Sequence, residues 1–324
     1  MAYLYELEIQ SFPNGDGCER YGIGVFRTRE EAEAAARRYL SEIPGFRDYY
    51  CEYTVRETAL IGDPATERVH TWFGYDRDED ENEIDILSGK LYEQEADARA
   101  ALDAARNGYR RAEWDLCCWQ IGRCEWAEGF DREYPSGKAA PTLAQLREGL
   151  RELIEPRTMC GIEYEYSDNV QYGFPLAVGE QLFLIALDDD FLLNGFTVRR
   201  LRDIYELGDR KGIYQAIAEQ EGLTVFDVPD VDISDWQSVF AALQKMNKHV
   251  IVEREYEPGF FRLGVIEAVA EDHVVLRHYD ADGVWQEPAA IDYREITSVT
   301  FDDRYAEVFS RYVDTNSFIP DCFF

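Results

Sequence analysis

An acidic run near residue 80 has the spacing of a calcium loop. Asp76, Asp78 and Asp80 repeat the alternate-residue pattern of the first ligands in an EF-hand. Such a loop also needs Gly at its sixth position and Glu at its twelfth, where this chain has Glu81 and Leu87. The pattern therefore favours an exposed acidic hairpin loop over a calcium site.

Three cysteines lie close together in a segment that also holds three tryptophans. Cys117, Cys118 and Cys124 could supply thiolates to zinc, but structural zinc sites usually show C-x-x-C pairs, and this segment has none. Adjacent residues of a strand point to opposite faces, so we expect one of Cys117 and Cys118 to be buried and the other to face outward. The segment is typical of a core strand that uses thiols as small apolar side chains.

Histidines and glycines offer no further chemistry at the sequence level. His273 and His278 flank a strand and fall on opposite faces, so they cannot chelate one ion together. Neither His70 nor His249 has a neighbouring nucleophile or carboxylate constellation, and no G-x-S-x-G or H-E-x-x-H signature occurs. The glycines of residues 21–26 lie in a strand candidate and form no phosphate-binding loop. We assign no catalytic, cofactor-binding or metal-binding residue and expect no cofactor.

The composition is that of a strongly acidic globular protein. The formal net charge is −32 over 324 residues, with 46% hydrophobic and 14% aromatic residues. A negative field repels phosphate backbones and anionic membranes and attracts basic proteins. We expect no signal peptide, no membrane span and, from seven irregularly spaced cysteines, reduced thiols in the cytoplasm.

The amino-terminal part predicts two β-β-α-β units that share one order of elements. In the first unit, Thr28 and Glu31 have the spacing of a capping box before a run of helix formers. The first unit's predicted strands and helix are 3–9, 21–26, helix 30–40 and 50–60. Those of the second unit are 69–75, 84–92, helix 95–113 and 115–127.

The carboxy-terminal half predicts a helix and five short strands. The helix covers 234–246, and the strands are 249–255, 261–271, 273–280, 285–292 and 296–301. Gly264 lies near the start of the long second strand, where a strongly bent strand needs a glycine. This order resembles the Sm-like small barrel, a family that includes the bacterial Sm-like RNA chaperones. The resemblance covers residues 234–302 and rests on element order and turn placement.

The preceding segment predicts a second copy of the same arrangement. An amphipathic helix over 142–155 is followed by five strand candidates between 161 and 207. Both copies then continue with Asp-Arg, at Asp209-Arg210 and at Asp303-Arg304, and end in a helix. The whole chain resembles uncharacterised gut-bacterial proteins that combine small α/β domains with such SH3-like barrels, and this resemblance implies no activity.

These patterns predict an α+β protein in which duplicated small β-β-α-β units precede two tandem Sm-like five-stranded barrels with flanking helices. The predicted divisions are an α/β unit (1–65), a second α/β unit (66–130), a linker (131–141), a first barrel with helices (142–224) and a second barrel with terminal helix and tail (225–324).

The charge and the lack of motifs favour a non-enzymatic, cytoplasmic protein–protein interaction protein. Its concrete form is an acidic inhibitor or immunity-type protein for a basic partner, with no membrane partner and an open oligomeric state. An enzyme is a further alternative and needs a concave pocket with perturbed carboxylates, around Asp188–Asp190 or Asp302–Asp303. The other alternative, Sm-like RNA binding, needs one basic face made by Arg199, Arg200, Arg202, Arg254, Arg262 and Arg277.

Overall fold

The computed structural model describes residues 2–11, 19–77, 83–108, 112–132 and 139–313. Within these ranges the chain has six α-helices and seventeen strands in two sheets, which confirms the predicted α+β class. The chain divides into two compact units, one up to residue 132 and one after it. None of the described helices has the length and apolar character needed to cross a membrane.

The described residues of the first unit form seven strands and two helices. Their bounds are β1 Ala2–Ser11, β2 Glu19–Phe26, α1 Arg29–Glu42, β3 Cys51–Ile61, β4 Arg68–Arg77, β5 Glu83–Leu87, β6 Lys90–Tyr92, α2 Glu95–Arg106 and β7 Glu113–Gln120. The sheet order is β2-β1-β3-β6-β4-β5, and β7 pairs with β4. Each of β1 and β4 therefore pairs with the strand that follows it and with the strand after its helix.

Local sequence signals account for the ends of several of these elements. The predicted capping box of α1 is confirmed, because Glu31 N–H donates to Thr28 Oγ1 at 3.2 Å and Thr28 N–H donates to the Glu31 carboxylate at 3.3 Å. The single strand predicted over 84–92 is instead two strands, β5 and β6. Gly89 separates them with a φ of 63°, a left-handed conformation that breaks an extended strand. Helix α2 also ends at Arg106, before the predicted residue 113.

The second unit consists of two halves with the same order of elements. The first half contains α3 Leu143–Ile154, β8 Cys160–Tyr164, β9 Ser167–Val178, β10 Leu182–Asp189, β11 Leu192–Arg200, β12 Ile204–Asp209 and α4 Ile213–Gln220. The second half contains α5 Trp236–Lys245, β13 His249–Glu253, β14 Phe261–Val269, β15 His273–Tyr279, β16 Ala289–Asp292, β17 Ser298–Phe301 and α6 Arg304–Val313.

One ten-stranded sheet joins the two halves. One of the two sheets of the described chain is curled into a half-barrel. The order of the ten-stranded sheet is β12-β8-β9-β10-β11-β17-β13-β14-β15-β16, so in each half the fifth strand pairs with the first. A short 3₁₀ turn separates the fourth and fifth strands of each half, at Leu201–Asp203 and Tyr293–Glu295. The fourth strand of the second half, β16, is shorter than the predicted 285–292, and Trp285 makes only an isolated bridge to Tyr279.

The halves meet where β11 pairs with β17, and we call this pairing the seam. The register runs antiparallel from Phe196 opposite Phe301 to Arg199 opposite Ser298. The hydroxyl of Thr300 donates to that of Thr197 at 3.0 Å, inside the protein. Apolar side chains from both halves form one continuous core under the seam, including Leu184 and Val198 from the first half and others from β13 and β17.

Buried arginines lie beside the seam. Arg200 is 4% exposed and donates two hydrogen bonds to Asp203, at 2.5 and 2.9 Å, and one to the carbonyl oxygen of Arg294 at 3.1 Å. Arg199 pairs with Glu255 across the halves and stacks 3.6 Å from the ring centre of Tyr164. Each guanidinium is thus compensated by a carboxylate, as a buried charge must be.

Replacing Asp203 by Asn is expected to destabilise the second unit strongly. The change leaves the buried guanidinium of Arg200 without its charge partner, and loss of one member of a buried pair costs about 3–5 kcal/mol. Glu148→Gln is the matched control, because Glu148 and Arg151 form an exposed pair of the same i,i+3 spacing, worth less than about 1 kcal/mol. Urea unfolding measures both; equal effects would contradict the importance assigned to the buried pair.

Gly264→Ala is expected to destabilise the second half by about 1–3 kcal/mol through overpacking. A Cβ at this position would lie 2.0 Å from the carbonyl oxygen of Arg277 on β15. Gly208 on β12 is the control, since a Cβ added there would have no neighbouring atom within 4 Å and Ala relieves the backbone entropy cost of Gly. Denaturant midpoints should therefore shift in opposite directions for the two variants.

Candidate functional site

A cleft of about 390 Å³ opens in the first half of the second unit. It forms where β9, the β10–β11 hairpin and the start of α4 come together. Its walls combine apolar and aromatic side chains with an equal number of polar and charged ones, so the cleft is more polar than most small-molecule sites. The lining residues are Met159, Val170, Gln171, Tyr172, Leu187, Asp188, Asp189, Asp190, Phe191, Asn194, Arg210 and Tyr214.

A tight turn delivers an aromatic ring to this cleft. Asp189 pairs with Leu192, so Asp190 and Phe191 are the two central residues of the β10–β11 turn. Both have positive φ, 50° and 65°, a conformation that such turns normally assign to Asn and Gly. A bulky residue with positive φ is strained. In this strained conformation the Phe191 ring stacks on the Tyr214 ring, with ring centres 5.9 Å apart and an angle of 13° between the planes.

Arg210 occupies the space between two tyrosine rings. Its guanidinium carbon lies 3.9 Å from the ring centre of Tyr172 and 4.1 Å from that of Tyr214, and it donates a hydrogen bond to the Tyr172 hydroxyl. With Phe191, these groups form a continuous series that we call the aromatic stack: Tyr172, Arg210, Tyr214, Phe191. Cation–π attraction of this kind stabilises a partly desolvated guanidinium.

Hydrogen bonds to the backbone of Arg157 and Met159 hold the start of α4 in place. The amide of Gln215 accepts from Met159 N–H at 2.8 Å and donates to the carbonyl oxygen of Arg157 at 3.1 Å. The N–H of Arg210 also donates to the carbonyl oxygen of Met159, at 2.8 Å. The position of Tyr214 is therefore fixed relative to the strands that carry the rest of the stack.

Asp188 lies at the base of the strained turn. Its carboxylate accepts a hydrogen bond from Phe191 N–H, while its Oδ1 is buried and has no hydrogen-bond partner among the described residues. Burial raises the pKa of Asp188, and the charges of Asp189 and Asp190 raise it further. Asp189 and Asp190 are exposed at the rim. The cleft thus presents acceptors and aromatic faces, which suit a cationic group.

The two acidic segments singled out from the sequence have different positions. Asp188, Asp189 and Asp190 all line the cleft. Asp302 instead pairs with Lys248 at 2.6 Å, and Asp303 accepts from Ala306 N–H at 2.6 Å at the start of α6. The residues at 302 and 303 therefore have structural partners and lie outside this cleft.

The candidate metal ligands are dispersed among the described residues. Asp78 and Asp80 lie outside the described ranges, and Asp76 is in β4. In β7, Cys118 is exposed and Cys117 is half-buried, and burial raises the pKa of the Cys117 thiol. In the part of the chain that the structure describes, no three His, Cys, Asp or Glu residues are placed to share a metal ion.

The four histidines lie on separate strands or strand positions. His273 contacts Asp272 at 2.7 Å, whereas burial and the charge of Arg262 lower the pKa of His278 at the other end of β15. His249 packs near Tyr279, with ring centres 6.0 Å apart, and His70 is in β4. None of the four lines the cleft.

The arginines considered for RNA binding do not share one exposed face. Arg199, Arg200 and Arg202 are 4%, 4% and 7% exposed. Arg254 pairs with Glu257 and Glu295. Both Arg254 and Arg262 stack on the ring of Phe260. Arg277 lies 4.9 Å from a ring centre of Trp285. Half of the set is therefore interior.

The sequence did not indicate the residues that make up the aromatic stack. Only Arg210 carried a signal, as part of the Asp-Arg pair that both halves share. Tyr172, Phe191 and Tyr214 belong to three different elements and come together through sheet pairing and the docking of α4.

Comparison of the chain with protein-family models, with curated proteins and with solved structures finds no match in any of the three. The chemistry open to the cleft follows from its own residues. The described residues that line it include no His, Cys, Ser, Thr or Lys. Carboxylates, tyrosine hydroxyls, amides and one guanidinium are the groups that remain.

Substitutions at Phe191 are expected to reveal the strain in the turn. Gly at this position should be more stable than Ala by about 1 kcal/mol, because only Gly adopts positive φ without a Cβ penalty. Leu192 is the matched control, since it starts β11 and has no positive φ, and there Gly should be less stable than Ala by about 0.5–1 kcal/mol. Denaturant unfolding of the four variants tests the reversal, and an Ala at 191 that matches Gly would exclude strain there.

Proposed function

We propose that this chain is a non-enzymatic, cytoplasmic interaction protein whose acidic surface binds a basic partner protein, in the manner of an inhibitor or immunity protein. The cleft is the observation that carries this proposal. Asp189 and Asp190 are exposed at its rim, and its guanidinium, that of Arg210, is already engaged by two tyrosines. The net charge of −32 adds long-range attraction for a positively charged surface.

We further infer that the second unit is a tandem pair of Sm-like small barrels and that the first is a duplicated β-β-α-β unit. The strand order of the two halves supports the first inference, since each fifth strand pairs with the first strand of its own half. The pairing of β1 with β2 and β3, and of β4 with β5 and β7, supports the second. Small barrels offer curved surfaces for partner proteins as well as for RNA.

RNA binding, the alternative that the Sm-like resemblance suggests, has less support. Phosphate backbones are bound by exposed Lys and Arg side chains. Arg199 and Arg200 instead neutralise Glu255 and Asp203 within the protein. The turn between β10 and β11, which carries Asp189 and Asp190, is acidic.

An enzyme is a second candidate, and one observation favours it. Asp188 has a raised pKa next to a cleft, the combination that general acids and bases show. Binding is the better supported function, because Oδ1 of the Asp188 carboxylate is buried and the same carboxylate already accepts a hydrogen bond from Phe191 N–H.

A pull-down from source lysate tests the proposed function. The tagged chain should retain a basic protein that elutes as salt rises, because the screening length falls from about 8 Å at 0.15 M to about 3 Å at 1 M. Bound protein and bound nucleic acid are both identified, with and without nuclease. RNA that resists the high-salt wash would instead support the Sm-like alternative and contradict this proposal.

A further inference from the structure

The aromatic stack ends at a partly exposed ring. The order along the stack is Tyr172, Arg210, Tyr214 and Phe191, so Phe191 is its last member. Phe191 is only half-buried, although the strained turn keeps its ring in the cleft. The stack can therefore accept one more planar group.

Two carboxylates adjoin that ring in sequence and line the same cleft. Asp189 and Asp190 are exposed, and neither forms an ion pair among the described residues. Apolar side chains of Leu187 and Val170 line the cleft as well, and Val170 is 37% exposed. A ligand with a cationic, planar end and an aliphatic stem matches all three kinds of surface.

We propose that the cleft binds an arginine side chain of the partner, with its guanidinium against Phe191 and beside Asp189 and Asp190. This inference rests on the proposed function and names the group that the partner inserts. Arginine fits better than lysine because its guanidinium is planar, weakly hydrated and able to bond a carboxylate through two N–H groups. The chain already shows the same recognition internally, where Arg210 lies between Tyr172 and Tyr214.

Short peptides test the proposal on the full chain. Ac-Gly-Arg-Gly-amide is titrated by calorimetry beside the same peptide with lysine or with citrulline, which keeps the shape of arginine and lacks its charge. We expect the arginine peptide to bind about 5-fold or more tighter than the lysine peptide and the citrulline peptide to show no measurable binding. Equal affinity for arginine and citrulline would overturn the proposal.

Paired variants distinguish binding in the cleft from general electrostatic attraction by the acidic protein. Asp189→Asn with Asp190→Asn should weaken the arginine peptide about 10-fold or more, since both acceptors lose their charge. Asp227→Asn with Asp230→Asn removes the same charge from exposed positions of the same unit outside the cleft, and should change affinity less than about 2-fold. Phe191→Ala should weaken binding about 5-fold. Circular dichroism and unfolding midpoints confirm that each variant is folded.

The same variants distinguish this inference from the proposed function. A basic partner that is retained equally by wild type and by the doubly substituted 189/190 variant would leave the proposed function standing and overturn the cleft assignment. Arginine-peptide binding that is lost in that variant, in a protein that captures no basic partner, would support the cleft and overturn the proposed function. Equal losses in the 189/190 and 227/230 variants would also overturn the cleft assignment.

Discussion

The antiparallel pairing of β11 with β17 is the constraint on which the second unit depends. It turns two sets of five strands into one ten-stranded sheet and lets side chains from both halves share a core. Pairing of this kind satisfies backbone groups that would otherwise form two open strand edges. A buried hydrogen bond between the hydroxyls of Thr300 and Thr197 adds to the contact between the two strands. The two halves therefore stabilise each other.

The seam also explains where the positive charge of this region lies. Arg199 and Arg200 are the last residues of β11, and their carboxylate partners, Glu255 and Asp203, come from the β13–β14 connection and from the 3₁₀ turn. A buried ion pair contributes little net stability, but removing one of its members is costly. The pair of Arg199 with Glu255 and the hydrogen bond from Arg200 to the carbonyl oxygen of Arg294 both join the two halves.

In the first half, local strain and tertiary contact are linked. Asp190 and Phe191 occupy backbone conformations that glycine and asparagine would adopt more easily. The cost of this backbone strain is offset by tertiary contacts. These are the stacking of Phe191 on Tyr214 and the hydrogen bonds that hold α4 at Met159 and Arg157. The cleft is therefore preorganised, which lowers the entropy cost of binding a ligand.

The sequence by itself determined the mixed α+β class, most helix and strand positions and the capping box at Thr28, because these depend on periodicity and on contacts a few residues apart. It also indicated Asp188–Asp190 as one place where a pocket could form. Only the tertiary structure decided which residues complete that pocket and that Arg199, Arg200 and Arg202 are interior. Alternation along one strand shows which face of the sheet a residue lies on. Whether that face meets solvent or the other half depends on the pairing of strands about a hundred residues apart in the sequence, which no local pattern reveals.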